Sequence, residues 1–406
     1  MQILLKKSKI KAFSRLQITG SKSESNRVLL LQALYNGLTI QNLSNSDDSK
    51  LMKNALSSKA TNIDIHHAGT AMRFLTAYFA VNMGKTTILT GSERMQQRPI
   101  KILVDALNSL GADIGYTKNE GYPPLLIKGR QLSKKIVYLK SDISSQYISA
   151  LLLIAPSLKN GLELHLVGKI TSLPYIKMTL ALLDEMGVET KFEGNVIEVL
   201  PLSNQVSKIF TVESDWSSAS YYYSILALSP VGTQIDLSDY KSESLQGDAV
   251  LLNIYKKLGV ESSFSGTTLS LKKVQRPLPT CLALDLSDTP DIAQTIVVSC
   301  LGLKIDCDLT GLRTLKIKET DRLLALKNEI KKLGTELKIT DNSLHLNNVA
   351  SLNCDVHIAT YNDHRMAMAF APLALRASLY IENAEVVSKS YPNFWEDLKS
   401  LGFKVQ

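Results

Sequence analysis

Residues Lys318 to Arg322 form five consecutive polar positions, Lys-Glu-Thr-Asp-Arg, that could bind an anion or move a proton. Apolar residues follow at helical spacing as far as Gly334, so the segment should open a helix, with Thr320 as its N-cap. A cation at a helix start is unfavourable unless it shares a bound anion with the free backbone N–H groups there. Two interpretations are open at this point: an anion site, or a solvated cluster of charges.

Several other segments place cations beside predicted helix starts in the same way. The planar guanidinium of their arginines suits bidentate contact with carboxylate or phosphate. These segments are 20–27, 69–73, 91–99 and 363–365, and Lys389 lies in a further polar turn. The first of them lacks the G-x-x-x-x-G-K-[ST] pattern of nucleotide phosphate loops, so nucleotide binding is not predicted. A lone histidine such as His364 is more typical of a helix cap or a structural hydrogen bond than of an acid.

The composition is typical of a globular protein with acidic partners. The chain has 406 residues, enough for two domains, with 45% hydrophobic and 21% charged residues. Its formal net charge of +8 suits phosphorylated or carboxylated substrates, or nucleic acid. The basic residues form no long runs and aromatic residues make up only 6%, so no nucleic-acid partner is expected.

The cysteines, the histidines and the first residues of the chain indicate the cellular compartment. The four cysteines show no C-x-x-C spacing and the six histidines form no recognisable metal cluster, so no metal is expected and a reduced cytoplasm fits best. Lys6 and Lys7 follow the first apolar residues at once, which leaves no room for a signal peptide. No apolar run approaches the length of a membrane span, so no membrane partner is expected.

Two series of helices repeat along the chain and predict its architecture. Helices of one series end in Leu-Gly or Met-Gly, and the glycines expected to be their C-caps are Gly111, Gly187, Gly259, Gly334 and Gly402. Helices of the other series are apolar on most faces but polar in their first turns, and they begin near Glu24, Gly69, Ser144, Ser217, Asp291 and Asp363.

Short β-branched strands lie between these helices, so the pattern predicts six units of strand, helix, strand, helix and further strand. The six units divide into three plus three, which gives an α/β protein of two domains. Helices packed side by side can point their N-termini the same way, and each domain would then present several positive helix ends to an anion. The first interval between helix starts is short, so the segment 47–67 should have lost part of its unit.

Seven ordered blocks of sequence, which span nearly the whole chain, carry a resemblance to a known family. They are Gly-Ser-Lys-Ser-x-Ser-Asn-Arg at 20–27, Ala-Gly-Thr-Ala-Met-Arg at 68–73, Arg-Pro-Ile at 98–100, Ser-Ser-Gln at 144–146, Pro-Tyr-Ile-x-Met-Thr at 174–179, Lys-Glu-Thr-Asp-Arg at 318–322 and Tyr-Asn-Asp-His-Arg-Met-Ala-Met at 361–368. Together they resemble the 5-enolpyruvylshikimate-3-phosphate synthase family. Seven blocks in order are far more specific than any one of them.

The resemblance implies an α/β (α+β) fold of two domains, each of three βαβαββ repeats around buried parallel helices. We expect one domain at 20–215 and the other at 1–19 with 216–406, with the active site in the cleft between them. The implied reaction transfers the enolpyruvyl group of phosphoenolpyruvate to the 5-hydroxyl of shikimate 3-phosphate. It proceeds by addition and then elimination of phosphate, without a metal or organic cofactor. We expect a cytoplasmic monomer of the shikimate pathway, which leads to chorismate and the aromatic amino acids.

By position in the matched blocks, the resemblance assigns residues to each substrate. Shikimate 3-phosphate would be held by Lys22, Ser23, Arg27, Ser144, Ser145, Gln146, Ser172, Tyr175, Asp291 and Lys318. Phosphoenolpyruvate would be held by Lys22, Gly69, Arg98, Gln146, Arg322, Arg365 and Lys389. Asp291 matches the family carboxylate beside the 5-hydroxyl, and Glu319 matches the residue that moves a proton to and from the methylene carbon. Lys22 and His364 are candidates to stabilise the charge that develops.

A few positions depart from the family pattern. His67 and Thr314 stand where the family usually has asparagine. Phe74 stands where proline is common after Met-Arg, and Trp216 stands where a small residue is usual. Asp321 has no expected role beyond favouring the helix N-terminus. We expect activity to survive these departures, and substrate affinity and inhibitor response to be the properties they affect.

Three alternatives were weighed against this interpretation. UDP-N-acetylglucosamine enolpyruvyl transferase, the sister enzyme on the same fold, uses a cysteine in the loop that corresponds to 91–98, and this chain has none there. A non-catalytic anion-binding relative would be expected to lose Asp291, Glu319 or Lys22, and all three are present. A nucleic-acid end-processing enzyme of related architecture is disfavoured by the matched blocks.

Overall fold

The structure is a computed structural model that describes residues 1–140, 144–168, 170, 172–202, 207–277, 279–347 and 351–406. Within these residues the chain divides into two compact units. One unit is Ser21–Val212, and the other joins Met1–Gly20 to Glu213–Gln406. No helix in the described ranges has both the length and the apolar character needed to cross a membrane.

Helices and strands alternate along both units. In chain order the described helices are α1 Lys22–Leu34, α2 Asp47–Ser57, α3 Gly69–Val81, α4 Lys101–Leu110, α5 Ser145–Ile154, α6 Leu173–Glu185, α7 Trp216–Ala227, α8 Leu251–Lys257, α9 Ala293–Leu303, α10 Arg322–Lys332, α11 His364–Phe370 and α12 Phe394–Leu401. The first strands are β1 Ile3–Lys6, β2 Phe13–Gln17, β3 Leu38–Gln41, β4 Asn62–Asp64, β5 Thr86–Thr90, β6 Asp113–Tyr116, β7 Leu125–Lys128, β8 Ile136–Lys140, β9 Leu162–Val167, β10 Thr190–Glu193 and β11 Val196–Val199. The remaining strands are β12 Lys208–Thr211, β13 Gln234–Ser238, β14 Val260–Ser265, β15 Thr268–Lys273, β16 Cys281–Asp285, β17 Asp306–Thr310, β18 Leu337–Ile339, β19 Leu344–Leu346, β20 Val356–Ile358, β21 Leu379–Ile381 and β22 Lys404–Val405.

Five four-stranded sheets of one design confirm the predicted α/β fold. Two strands pair in parallel across the first helix of a repeat, and two antiparallel strands then follow, as in the order β4-β5-β7-β6. The same order holds for β8-β9-β11-β10, β2-β13-β15-β14, β16-β17-β19-β18 and β20-β21-β1-β22. In the last of these, the N-terminal strand β1 is the third strand of the sheet. It pairs antiparallel with both β21 and β22, with Leu5 opposite Leu379 and Val405.

A two-stranded sheet, β12-β3, stands where the sequence predicted a shortened unit. The described chain passes from β3 through α2 directly to β4, so this repeat has no antiparallel pair of its own. The prediction that 47–67 has lost part of its unit is therefore confirmed.

The first strands of two repeats are exchanged. The repeat pattern alone did not predict this, although the domain bounds implied by the family resemblance, 20–215 and 1–19 with 216–406, place β2 and β12 in the same way. β2 precedes α1 in the chain but pairs in parallel with β13, and β12 precedes α7 but pairs in parallel with β3. As a result, β2 belongs to the unit that contains the C-terminal half, and β12 belongs to Ser21–Val212.

Glycines end the Leu-Gly and Met-Gly helices because the backbone turns left-handed there. Gly111 and Gly402 are the C-caps of α4 and α12, with φ of 109° and 111°. Gly187, Gly259 and Gly334 also have positive φ, but each lies one residue beyond the assigned C-cap. Only glycine adopts this conformation without a steric cost, so the left-handed turn expected at all five glycines is confirmed, while the C-cap position itself is confirmed at Gly111 and Gly402 only.

Candidate active site

Helices α3, α5 and α7 are buried along most of their length, and each has an unburied residue in its first turn. In α5 the only residue that is not buried is Gln146, and in α7 it is Ser217. In α3 the exceptions are Thr70 in the first turn and Val81 at the far end. The helix N-termini, with their free N–H groups and positive dipole ends, are therefore the parts that can meet a ligand.

Lys22 opens α1 and faces an acid that the sequence analysis missed. Its ammonium lies 3.5 Å from Asp48 Oδ2, and the two side chains are 17% and 11% exposed. Asp48 belongs to the first turn of α2, which Ser46 caps. A capping serine followed by two acids is a helix-start signal that could have directed attention to this position.

Arg27, one of the predicted shikimate 3-phosphate ligands, is buried and ties several helices together. Its Nε donates to Thr179 Oγ1 at 2.8 Å, and one terminal nitrogen donates to Ser23 O at 2.7 Å. The other terminal nitrogen donates to Ser149 Oγ at 2.9 Å and to Tyr175 O at 3.3 Å. These four acceptors lie on α1, α5 and α6 and are all uncharged.

Aromatic rings complete the surroundings of Arg27. The ring centroids of Phe74 and Tyr175 lie 5.4 Å and 5.9 Å from the guanidinium carbon, within the range of cation–π attraction. Burial lowers the pKa of Arg27 to about 10, and Tyr175 and Glu24 offset only part of that effect. Phe74, one of the departures from the family pattern, thus contacts a predicted substrate ligand.

Arg98 lies against Gly69, and both were predicted to bind phosphoenolpyruvate. A Cβ on Gly69 would overlap the Arg98 guanidinium, so glycine is required for this close approach. Arg98 is buried, yet its Nε has no hydrogen-bond partner among the described residues. A buried N–H donor without a partner is rare in proteins. Arg73 Nη2 and Tyr147 OH fix the adjoining loop by donating to Pro99 O at 2.9 Å and 2.6 Å.

The starts of α5 and α3 are joined directly. Ser144 caps α5 by accepting a bond from Gln146 N at 3.3 Å, and Gln146 Nε2 donates to Thr70 Oγ1 at 3.3 Å. Ser145 is buried in the same turn. Ser172 is the N-cap of α6 and holds a left-handed backbone with φ of 55°. The structure thus gathers Gly69, Arg98 and Gln146 at one place, and it joins Arg27 to Tyr175 at the start of α6.

In the unit Met1–Gly20 with Glu213–Gln406, Arg322 is surrounded by carboxylates. Its Nε donates to Asp363 Oδ2 at 2.6 Å, and its terminal nitrogens donate to Asp291 Oδ1 and Glu319 Oε2, each at 2.8 Å. The Arg322 side chain is only 2% exposed. Burial alone would lower the pKa of Arg322, but Asp363, Glu319 and Asp291 together raise it above its ordinary value. One guanidinium therefore orients both of the acids that were predicted to be catalytic.

Asp291 is shared by three cations. Lys318 Nζ lies 3.3 Å from Asp291 Oδ1, and Arg365 Nη2 lies 3.4 Å from Asp291 Oδ2. Arg365 also donates to the backbone oxygen of Asp291 at 3.0 Å. With Arg322, these contacts bring four predicted residues from three separate parts of the sequence to one place.

The expected N-cap of α10 was wrong. The cap is Asp321, whose Oδ1 accepts bonds from Leu323 N and Leu324 N, both at 3.1 Å. A carboxylate cap also complements the positive end of the helix, which gives Asp321 the role that the sequence left open. Thr320 instead precedes the helix by two residues. Thr314 lies in the 3-10 helix Arg313–Ile317, and its hydroxyl has no partner among the described residues.

Asp363 caps α11 and binds Arg322 at the same time. It accepts a bond from Arg365 N at 2.9 Å, and its side chain is fully buried. His364 Nδ1 lies 4.0 Å from Asp363 Oδ1, with 3% of the histidine side chain exposed. Lys389 reaches the same segment by donating from Nζ to Asn362 O at 2.6 Å.

Asp248, a buried acid near Arg365, was also not predicted from the sequence. Asp248 accepts a hydrogen bond from the Ser217 hydroxyl, and Arg365 Nη2 donates to Ser217 Oγ at 3.2 Å. Burial raises the pKa of Asp248 to about 7, an effect that Arg365 opposes and Asp291 reinforces. An isolated Gln-Gly-Asp segment carries no capping or catalytic motif, so only the fold reveals this neighbour.

Two further departures from the family pattern have defined contacts. His67 Nδ1 lies 2.7 Å from Ser92 Oγ, which joins the loop before α3 to the loop that carries Arg98. The Trp216 indole donates to Glu213 Oε1 at 2.7 Å, and its backbone N–H donates to Gln246 Oε1 at 3.0 Å. No group of three or more His, Cys, Asp or Glu side chains suited to a metal ion occurs in the described ranges.

Known proteins share both the fold and the sequence. The structure of an EPSP synthase from Acinetobacter baumannii matches with a TM-score of 0.80 over 100% of this chain and 99% of that one, at 20% identity. Two three-repeat units with cations and acids at their helix starts thus define an enolpyruvyl-transferase type of fold.

Sequence comparison identifies the family. A 3-phosphoshikimate 1-carboxyvinyltransferase from Bacteroides fragilis is 48% identical, over 98% of this chain and 97% of its own length. One from Shewanella baltica is 35% identical, over 95% of this chain and 96% of its own. The family model for EPSP synthase (3-phosphoshikimate 1-carboxyvinyltransferase) matches residues 53–398. The chain belongs to the EPSP synthase family, as its sequence blocks predicted.

Proposed function

We propose that this chain transfers the enolpyruvyl group of phosphoenolpyruvate to the 5-hydroxyl of shikimate 3-phosphate and releases inorganic phosphate. Membership of its family makes it an enzyme, a transferase of the shikimate pathway. The observation that carries the residue-level proposal is the contact of one buried guanidinium, that of Arg322, with both Asp291 and Glu319. Two fixed acids beside several cations suit a reaction that moves protons on anionic substrates.

The cations of both units serve to hold those anions. Each substrate carries a phosphate and a carboxylate, which planar guanidinium groups bind in bidentate fashion. Arg98, whose buried Nε has no partner among the described residues, and the helix starts at Gly69 and Gln146 would take phosphoenolpyruvate, together with Lys22, Arg322, Arg365 and Lys389. Shikimate 3-phosphate would be held by Lys22, Ser23, Arg27, Ser144, Ser145, Gln146, Ser172, Tyr175, Asp291 and Lys318. That these residues meet in a cleft between the two units stays a prediction from the sequence.

The two acids would divide the proton transfers. In the addition step, the 5-hydroxyl oxygen bonds to C2 of phosphoenolpyruvate, Asp291 accepts the hydroxyl proton, and Glu319 delivers a proton to the methylene carbon. In the elimination step, Glu319 takes a proton back from the resulting methyl group while the C2–O bond to phosphate breaks. Lys22 and His364 would stabilise the charge that develops between these steps.

Release of inorganic phosphate tests this proposal directly. The purified chain should release phosphate when phosphoenolpyruvate and shikimate 3-phosphate are both present, and neither substrate alone should suffice. Release with UDP-N-acetylglucosamine in place of shikimate 3-phosphate, or no release with the proposed pair, would overturn it. The family match and the lack of a cysteine at 91–98 both disfavour the UDP-N-acetylglucosamine activity. Sedimentation of the same sample would test the expected monomer.

A further inference from the structure

The carboxylate of Glu329 on α10 is fully buried and has no role in the proposed reaction. It accepts hydrogen bonds from the segment that leads to Asp363. Glu329 Oε2 accepts bonds from Ala359 N at 3.0 Å and from Lys332 Nζ at 2.6 Å, and its Oε1 accepts one from Tyr361 OH at 2.7 Å. The Glu329 side chain is 0% exposed. A charge buried this deeply is tolerated only because every contact named here satisfies it.

The backbone of this segment is strained at the two residues directly before Asp363. Tyr361 and Asn362 both have positive φ, 53° and 55°, although neither is glycine. Left-handed backbone is sterically unfavourable for residues other than glycine, and a bulky residue such as tyrosine rarely adopts it. Surrounding contacts must therefore hold this conformation in place. The Tyr361 hydroxyl bond to Glu329 is one of them, and Lys332 adds another by donating to His357 O at 3.0 Å.

Three proposed phosphoenolpyruvate ligands depend on where this segment ends. Asn362 O accepts the bond from Lys389, and Asp363 holds Arg322 and caps the helix that begins with His364 and Arg365. Helix α10 thus holds the segment at two places, through Arg322 at its first residue and through Glu329 two turns further along. Those two points are about 10 Å apart along the helix axis at 1.5 Å per residue.

We propose that Glu329 and Tyr361 are positioning residues that set the segment 359–363 and thereby orient the cations Arg322, Arg365 and Lys389. The inference rests on the proposed function, because that function assigns these three cations to phosphoenolpyruvate. Glu329 and Tyr361 touch no reacting atom in this scheme. Their loss should weaken the binding of one substrate more than it weakens the fold.

Tyr361→Phe tests the inference because it removes one hydroxyl and keeps the ring. The KM for phosphoenolpyruvate should rise about tenfold, the factor that corresponds to about 1.4 kcal/mol, while the KM for shikimate 3-phosphate changes less than about twofold. Tyr223→Phe is the matched control, because its buried hydroxyl bonds to Ser262 in the same unit without contacting the segment. That control should leave both KM values unchanged.

The KM values of these variants either support or overturn the positioning role of Glu329 and Tyr361. Unchanged KM for phosphoenolpyruvate in an active Tyr361→Phe enzyme would overturn the positioning role and leave the proposed function standing. An equal rise in both KM values, or a loss of kcat that only tracks the loss of folded protein, would show a purely structural tie and overturn it as well. Glu329→Gln is a second test, because an amide has one acceptor oxygen whereas the carboxylate uses two, one for Tyr361 OH and one for Ala359 N; it should shift the same KM at least as far. If the unsubstituted chain releases no phosphate with the two substrates, the proposed function fails first.

Discussion

The two units hold their buried arginines in opposite ways. In Ser21–Val212, Arg27 is bonded to hydroxyls and backbone oxygens and lies near aromatic rings, so burial lowers its pKa to about 10. In the other unit, Arg322 is bonded to Asp363, Asp291 and Glu319, and these carboxylates raise its pKa despite burial.

Under the proposed function, this difference distinguishes an arginine that only binds an anion from one that also orients catalytic acids. A guanidinium hydrogen-bonded to neutral groups forms no ion pair of its own in these contacts, and we propose that its charge attracts the phosphate of shikimate 3-phosphate. In the proposed function, a guanidinium enclosed by carboxylates fixes those acids for acid–base chemistry in addition to binding phosphoenolpyruvate. Lys22 is the exception in the first unit, since Asp48 pairs with it.

The largest effect is expected from removing an acid that Arg322 orients. Glu319→Gln should lower kcat about 10²- to 10⁴-fold, the usual scale of lost acid–base catalysis, while the fold and both KM values change little. Steady-state phosphate release and thermal unfolding measure the two quantities. An unchanged kcat would remove Glu319 from the mechanism and break the comparison.

Asp363→Asn probes the ion-pair side of the comparison through stability. It should lower the free energy of unfolding by about 3 kcal/mol, at the lower end for a broken buried pair because two acids still contact Arg322. Urea denaturation measures the change. Glu396→Gln, which breaks the exposed pair with Lys399, is the control and should cost less than about 1 kcal/mol. Equal losses in both variants would contradict the account.

Asp248 makes the acid-rich unit sensitive to pH. Burial raises its pKa from 3.8 to about 7, so between these values the folded chain binds more protons than the unfolded chain. Stability should therefore fall as pH rises through this window, by up to about 1.4 kcal/mol per pH unit from this one group. Asp248→Asn should flatten that decline in urea denaturation between pH 4 and pH 7. A variant with the same slope as the unsubstituted chain would contradict the assignment.

The smallest effect is expected where a neutral acceptor is lost. Thr179→Val removes the hydroxyl that accepts the Arg27 Nε bond and that can donate to Tyr175 O or Ser149 Oγ. It should cost about 1–2 kcal/mol, within the range for one buried donor left unsatisfied. The same urea experiments measure it. A loss as large as that of Asp363→Asn would mean that the two arginines are held with equal strength, against the comparison.

Helix starts could be predicted from the sequence because their signals are local. Small capping residues before apolar stretches indicated the starts of α1, α5 and α11, and cations beside the starts of α1 and α11 were found with them. The predicted N-cap of α10 was wrong because Thr320 and Asp321 are adjacent, and only the backbone conformation decides which side chain reaches the free N–H groups.

Long-range pairing could not be predicted in the same way. The exchange of β2 and β12 depends on which sheet accepts each strand, and consecutive elements are neighbours in only about two-thirds of cases. Asp248 was missed because an isolated acid has no spacing signal, and the helix-start signal at Asp48 does not show which cation that acid contacts. Their partners, Lys22 and Ser217, lie far away in the sequence.

Deuterium transfer to the methylene carbon tests the central claim most directly. In D₂O with both substrates, the unsubstituted chain should incorporate deuterium at the methylene carbon of the enolpyruvyl group, because addition protonates that carbon and elimination removes a proton again. Glu319→Gln should lose this incorporation, whereas Thr179→Val should retain it at saturating substrate. Incorporation by Glu319→Gln at the rate of the unsubstituted chain would contradict the assignment of proton transfer to the carboxylates around Arg322.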